Sequence, residues 1–88
     1  MQPIHEQIAA LYRAHYKQEP GLISKLPQSG SDRIYYRVEG SPVCIATFNK
    51  NIRENQTFLR FSRHFKQYHC PVPSIYAVSD DFSVYLQE

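Results

Sequence analysis

Apolar residues near the start of the chain recur at the spacing of one helix face: Ile4, Ile8, Leu11 and Tyr12. This pattern predicts an amphipathic helix over residues 3–18, which Glu19-Pro20-Gly21 should end because proline and glycine interrupt helices. Leu22–Leu26 then has the length and composition of a short strand. Residues 27–32 read Pro-Gln-Ser-Gly-Ser-Asp, which is typical of a polar turn.

The next two segments predict a β-hairpin. Positions 34–39 alternate with a period of two, which places Ile34, Tyr36 and Val38 on one face of a half-buried strand. A turn at residues 39–42, Glu-Gly-Ser-Pro, leads into a return strand over 43–48. This return strand is apolar on both faces apart from Thr47, which indicates a central strand of a sheet.

Helical spacing returns after Asn49-Lys50-Asn51 and predicts a second helix over residues 52–68. Its apolar stripe is aromatic and is expected to pack on the sheet: Phe58, Phe61, Phe65 and Tyr68. Pro71 and Pro73 prevent the helix from continuing, because each proline keeps the residue before it extended. Residues 74–78 and 82–87 then predict two strands joined by a short turn at 79–81.

Together these elements predict an α+β fold with a twisted antiparallel sheet of about five strands. We expect the second helix to pack on one face of the sheet and the first helix to flank it. At 88 residues and 42% hydrophobic content, the chain should form one globular domain with a single core.

Charge and cysteine content narrow the classes of function. Ten Lys and Arg against eight Asp and Glu give a net charge of +2, with no block of like charges. This balance does not require a nucleic-acid or membrane partner, and no apolar run approaches the roughly 20 residues that span a bilayer. The first residues lack the order of a secretion signal, so we expect a soluble cytoplasmic protein. Cys44 and Cys70 are expected to be reduced thiols.

Four segments of the chain together carry a family resemblance. They are Ser-Gly-Ser-Asp-Arg-Ile-Tyr-Tyr-Arg-Val at 29–38, Arg-Glu-Asn at 53–55 with Phe58, Pro-Val-Pro at 71–73 with Ile75-Tyr76, and Tyr-Leu-Gln-Glu at 85–88. In this order and spacing they resemble the phosphotransferase family of aminoglycoside and choline kinases, most of all its bacterial amino-sugar kinases. The resemblance covers nearly the whole chain. It implies that residues 1–88 are the N-terminal, nucleotide-binding lobe of a protein-kinase-like fold.

The resemblance also implies a phosphoryl-transfer reaction and a second, C-terminal lobe that carries the catalytic residues. Members of this family use ATP and magnesium to phosphorylate a hydroxyl of a small polar molecule, here an amino sugar, an aminoglycoside or a choline-like substrate. Their base and their metal-binding aspartates lie in a C-terminal lobe after the segment that resembles Leu86-Gln87-Glu88. We expect that lobe to be absent here, the small-molecule substrate to be bound through it, and the fragment to be inactive alone because phosphoryl transfer needs positioning and a metal clamp.

The resemblance assigns Ser29, Gly30 and Ser31 to a turn over the nucleotide phosphates, where small residues let backbone amides approach the ligand. Judged without the resemblance, the same residues form an ordinary hairpin turn. In kinase folds a lysine on the third strand holds the phosphates. Alignment of residues 43–46 with the common Val-Ala-Ile-Lys pattern places Ala46 at the position of this lysine. The positive charge that binds the phosphates is then expected from Arg33, from Lys50 or from the absent lobe.

Glu54 has two roles that the sequence leaves open. It shares a helix face with the aromatic stripe, where a carboxylate should pair with the cation that holds the phosphates. Alternatively, Asn51 caps the helix and Glu54 completes a capping box. An apolar slot for the purine is expected between Ile45 or Ala46 and the 86–88 segment, including Leu86 and Glu88.

No metal site is expected from His64, His69 and Cys70, because their spacing fits no common zinc pattern. Two other classes of function remain as alternatives. A small sheet with many tyrosines could instead bind single-stranded nucleic acid, but this requires several aromatic rings on one exposed sheet face. The remaining alternative is a self-associating domain that forms a homodimer through the surface exposed by the missing lobe.

Overall fold

Two helices and five strands make up the fold in the computed structural model, which describes residues 4–27, 33–69 and 74–88. In chain order they are α1 (Ile4–Tyr16), β1 (Ile23–Lys25), β2 (Ile34–Val38), β3 (Cys44–Phe48), α2 (Ile52–Gln67), β4 (Ile75–Val78) and β5 (Val84–Gln87). The order and type of every predicted element are confirmed, as is the α+β class with a five-stranded antiparallel sheet. Neither helix is long and apolar enough to cross a membrane within these described ranges.

The sheet has the strand order β1-β2-β3-β5-β4, and each neighbouring pair is antiparallel. Strand β3 lies at its centre, which confirms the inference from its apolar character on both faces. In the register of the central strands, Ala46 lies opposite Tyr36 and Leu86, whereas Thr47 lies opposite Tyr35 and Tyr85. Because neighbouring strand residues point to opposite faces, these two sets line different faces of the sheet.

The first helix packs on one face of this sheet and supplies part of the core. Ile8 and Tyr12 are fully buried against residues from β2, β3 and β5, including Ala46 and Leu86. The Tyr12 hydroxyl donates a hydrogen bond of 2.7 Å to the carbonyl oxygen of Pro42, so the polar end of this buried ring has a partner. Helix α1 is therefore a principal core element rather than only a flanking one.

The second helix lies on the opposite face and contacts the sheet through only part of its predicted stripe. Phe58 stacks on Tyr85 of β5 with 5.5 Å between ring centroids. The prediction is wrong for the other three aromatic residues, because Phe61, Phe65 and Tyr68 are 53%, 44% and 69% exposed. The buried positions of α2 are instead three residues at i, i+4 and i+7 spacing: Asn55, Leu59 and Ser62.

Candidate functional site

A buried asparagine sets the rotation and position of α2. The side-chain nitrogen of Asn55 donates to the carbonyl oxygens of Asn49, Phe82 and Ser83, at 3.2, 2.7 and 3.4 Å. Asn49 directly follows β3, and the other two acceptors belong to the turn between β4 and β5. The side-chain amide of Asn55 therefore attaches the first turns of α2 to the segment after β3 and to the segment before β5. This contact turns the Asn55 face inward and leaves much of the aromatic stripe exposed.

The turn that receives Asn55 is itself held by hydrogen bonds to one carboxylate. Oδ1 of Asp81 accepts from the backbone nitrogen and hydroxyl of Ser83, at 3.0 and 2.6 Å, and from the Ser79 hydroxyl at 2.9 Å. The hydrogen bonds from Ser83, followed by that from Ser79, lower the pKa of the Asp81 carboxyl. The ionised carboxylate thus orders the turn whose carbonyls hold α2.

At the N-terminus of α2, the capping box considered for Glu54 is only half formed. Oδ1 of Asn51 accepts a hydrogen bond of 3.1 Å from the Glu54 backbone nitrogen, so Asn51 is the N-cap. The reciprocal half of a capping box is not formed, because the Asn51 backbone nitrogen donates at 3.0 Å to Oδ1 of Asn49. The Glu54 carboxylate is directed to a cation instead.

That cation is Arg33, the residue just before β2. Its Nη2 lies 3.1 Å from Oε1 of Glu54, and its guanidinium lies 5.0 Å from the centroid of the Phe58 ring. A carboxylate and an aromatic ring face thus position one guanidinium together. The Arg33 side chain is 21% exposed and Glu54 is 45% exposed, so the pair lies at the surface and can reach a ligand.

The wall behind this pair is aromatic and buried. Phe58 stacks on Tyr85, and Tyr85 lies opposite Thr47 in the register of β3 and β5. Burial raises the pKa of the Tyr85 hydroxyl, so this phenol is neutral at physiological pH. An open cavity of about 460 Å³ adjoins the pair and is lined by Arg33, Asn51, Arg53, Glu54, Thr57, Phe58 and Phe61. Its chemistry, an oriented guanidinium over apolar walls, suits an anionic oxygen group.

The structure brings together only part of the predicted site. Arg33 and Glu54 form one cluster, whereas Ala46 and Leu86 are fully buried in the core beneath α1, on the opposite face of the sheet. Thr47, one residue after Ala46, lies on the face that α2 covers. Ala46 therefore does not share a face of the sheet with Arg33 and Glu54, whereas Thr47 does, because a shift of one residue along a strand changes its face.

The remaining predicted residues have separate surroundings. Lys50 is an exposed residue between β3 and α2. Glu88 pairs with the start of β4: its backbone nitrogen donates to the Ser74 carbonyl oxygen at 3.0 Å, and its carboxylate accepts from the Ser74 nitrogen at 3.3 Å. Residues 29–31, the predicted phosphate turn, lie outside the described residues, as does Cys70.

Three residues of this region were not singled out by the sequence analysis: Asn55 as an anchor, Thr47 as the residue facing α2, and Tyr85 as the support for Phe58. Thr47 had a signal, since it is the polar residue within an otherwise apolar strand. Asn55 had a weaker one, because a polar residue on the buried side of a helix needs hydrogen-bond partners. The stacking of Phe58 on Tyr85 has no local signal.

Comparison of the chain with protein-family models, with curated proteins and with solved structures gives no match.

Proposed function

We propose that this chain is the nucleotide-binding lobe of an ATP-dependent phosphotransferase that acts on a hydroxyl of a small polar molecule, such as an amino sugar. Two observations support the proposal. The four sequence segments that resemble the aminoglycoside and choline kinase family occur in the element order helix, three strands, helix, two strands. The second observation, which carries the most weight, is the ion pair between Arg33 and Glu54.

A phosphate-binding lobe of this kind needs a cation held in place by a helix carboxylate, because phosphoryl transfer depends on positioning and charge neutralisation. Strand β3 has no lysine for this role, and its residue on the α2 side is Thr47. In this proposal Arg33 supplies the cation from the position just before β2, directly after the segment that resembles a phosphate turn. Glu54 and the Phe58 ring orient its guanidinium, and a guanidinium can grip two phosphate oxygens at once.

Among the described residues, those around Arg33 fit the phosphate part of ATP better than a magnesium ion. Glu54 is engaged by Arg33, and the described ranges hold no group of three or more metal-ligating side chains. In this proposal the metal and the catalytic base belong to a second lobe, and this chain only binds and orients the nucleotide.

The test is a titration of the chain with ATP and magnesium, followed through backbone amide shifts. We expect millimolar affinity, about −4 kcal/mol, because one lobe supplies part of the contacts. The shifts should concentrate at Arg33, Thr47 and Glu54. The Arg33→Met variant should bind at least about tenfold more weakly, since a charge-assisted hydrogen bond contributes roughly 1.5–3 kcal/mol.

The matched control is Arg13→Met, which removes an arginine from another surface ion pair of the same length, 3.1 Å to Glu19. Its nucleotide affinity should equal that of the unaltered chain. Equal losses in the two variants would show that only overall charge matters, and would count against a site at Arg33. No shifts at Arg33, Thr47 or Glu54 at about 10 mM nucleotide, well above the expected millimolar dissociation constant, would refute the proposal.

A further inference from the structure

The exposed side of α2 carries a regular row of aromatic rings. Phe61, Phe65 and Tyr68 follow Phe58 at intervals of three, four and three residues, which are the a and d positions of a heptad. The last three of these four residues are 53%, 44% and 69% exposed, and the Phe61 and Phe65 rings stack with centroids 6.3 Å apart. We refer to Phe58, Phe61, Phe65 and Tyr68 as the aromatic seam.

A row of this kind indicates a docking surface. Single exposed apolar residues are common, but these aromatic residues share one side of α2 along two turns, and Phe61 and Phe65 stack on each other. With roughly 200 Å² of surface per ring, the exposed parts of the seam amount to about 300 Å². The cavity beside Arg33 adjoins one end of the seam at Phe58 and Phe61, so the free part of the seam is Phe61, Phe65 and Tyr68.

The charge around the seam is positive. Arg53 and Arg60 are spaced by seven residues and are both exposed, so these two cations lie on one stripe of α2 parallel to the seam. The only acidic residue of α2 is Glu54, which is paired with Arg33. A partner with acidic side chains would therefore be attracted, and one with basic side chains would be repelled.

These observations select one occupant. The three-four spacing matches the spacing at which apolar residues of two packed helices interlock, so it favours a helix over a lipid surface or a nucleic acid. A second copy of this chain is disfavoured because its α2 carries the same positive stripe. The seam also offers less than half of the roughly 800 Å² that each partner contributes to a stable dimer. We propose that the aromatic seam of α2 docks an amphipathic helix with an apolar row flanked by acidic residues.

This inference goes beyond the nucleotide-binding role and does not depend on it. Its test uses the intact chain and a synthetic helical peptide of about 18 residues, a length that can hold a helix when bound, with leucine at a and d positions and glutamate beside them. The same peptide with lysine in place of glutamate is the charge control. The acidic peptide should bind and should shift the amides of α2 around Phe61, Phe65 and Tyr68. Binding should weaken as salt rises from about 20 to about 300 mM.

The Phe65→Ala variant should weaken peptide binding about tenfold, because central aromatic residues dominate interfaces of this kind. Leu22→Ala is the matched control, since Leu22 is 70% exposed on the chain but lies outside α2, and it should leave the affinity unchanged. Both substitutions affect exposed side chains, and the amide spectrum of each variant verifies its fold. Nucleotide affinity is measured on the same samples, so a failure of one proposal is distinguishable from a failure of the other.

Three results would overturn the inference. The first is equal binding of the acidic and basic peptides, or binding that Phe65→Ala does not change. The second is a dimer in sedimentation experiments that Phe65→Ala dissociates, which would identify the occupant as a second copy. The third is stronger Phe65-dependent binding to anionic phosphatidylglycerol vesicles or to a thymidine oligonucleotide than to the acidic peptide.

Discussion

The most demanding test of this structure is the replacement of Asn55, whose single amide group attaches α2 to the rest of the fold. In the Asn55→Ala variant the carbonyl oxygens of Asn49, Phe82 and Ser83 lose a common donor. The Ser83 oxygen keeps one partner, because the Asn49 backbone nitrogen also donates to it at 2.9 Å. Among the described residues, Asn55 is the one donor to the Asn49 and Phe82 oxygens, and the loss of the bond to Asn49 is the more costly because that bond is buried.

The magnitude follows from these contacts. A buried acceptor left without a donor costs about 1–3 kcal/mol, and the smaller side chain leaves a small void as well. We therefore expect Asn55→Ala to lower the free energy of unfolding by about 3 kcal/mol. The whole stability expected for a chain of 88 residues is roughly 4–13 kcal/mol, so this is a large fraction of it.

The assay is urea denaturation followed by circular dichroism. With a denaturant slope of about 1.5 kcal/mol/M, the midpoint should fall by about 2 M. Gln56→Ala is the control, because Gln56 is the next residue of the helix and is exposed, and its effect should stay within about 0.5 kcal/mol. A loss below about 1 kcal/mol in Asn55→Ala would refute the view that this amide anchors α2.

A second substitution at the same position tests the direction of the hydrogen bonds. Asn55→Asp keeps the shape but replaces a donor with a carboxylate that faces several carbonyl oxygens. The repulsion should raise the pKa of the new carboxyl, because the protonated form can donate one hydrogen bond. The variant should therefore be less stable than Asn55→Ala at neutral pH and should regain stability as the pH falls towards 4, the ordinary aspartate range. Denaturation curves at several pH values measure this, and a pH-independent difference between the two variants would contradict the geometry.

Two further predictions concern backbone and pH. Gly40→Ala should lower the free energy of unfolding by about 2–4 kcal/mol, because φ at Gly40 is 150° and an added Cβ would lie 2.5 Å from the Tyr12 hydroxyl oxygen. Gly21→Ala should lower the free energy of unfolding clearly less, because its added Cβ would lie 3.2 Å from the nearest atoms of Glu39. Thermal unfolding of the two variants measures this difference, and equal losses would contradict the close packing of Tyr12 on Gly40. The lowered pKa of Asp81 adds stability above its unfolded pKa of about 4, and this contribution is lost as the pH falls through the lower folded value. The urea midpoint of the unaltered chain should therefore decline in acid. Asp81→Asn should be less stable than the unaltered chain at pH 7, but its midpoint should decline less as the pH falls. Parallel declines of the two midpoints would contradict the assignment to Asp81.

The sequence predicted the fold well because most of its elements have strong local signals. The switch from period two in residues 34–38 to helical spacing after Asn51 marks the end of the hairpin and the start of α2. The apolar character of β3 on both faces correctly indicated its central place. These signals depend on neighbours along the chain, which is why they can be recognised without a structure.

The errors occurred where contacts between distant segments decide the outcome. The helical spacing of α2 is compatible with two inward faces, one aromatic and one containing Asn55, and hydrophobicity favoured the aromatic face. The structure favours the other because the amide of Asn55 meets carbonyls 27 and 28 residues later in the chain, and no local pattern shows this. Similarly, the alignment of a short motif does not show that α1 covers Ala46 and that α2 covers the face of Thr47, because this depends on how distant helices pack on the sheet.

The apolar core and the proposed binding surface lie on opposite faces of the sheet. The α1 face contains the large apolar core, with Ile8, Tyr12 and Leu86 fully buried, whereas the α2 face holds a surface ion pair and an exposed aromatic row. The Glu54 side chain is 45% exposed, but that of Arg33 is 21% exposed and lies over the Phe58 ring, so Arg33 contributes packing as well as charge. The urea midpoint of Arg33→Met, measured beside its nucleotide affinity, separates a loss of binding from a loss of fold. Substitution of Asn55 should affect folding and binding together, because Asn55 anchors α2 and α2 carries Glu54, the carboxylate that positions Arg33.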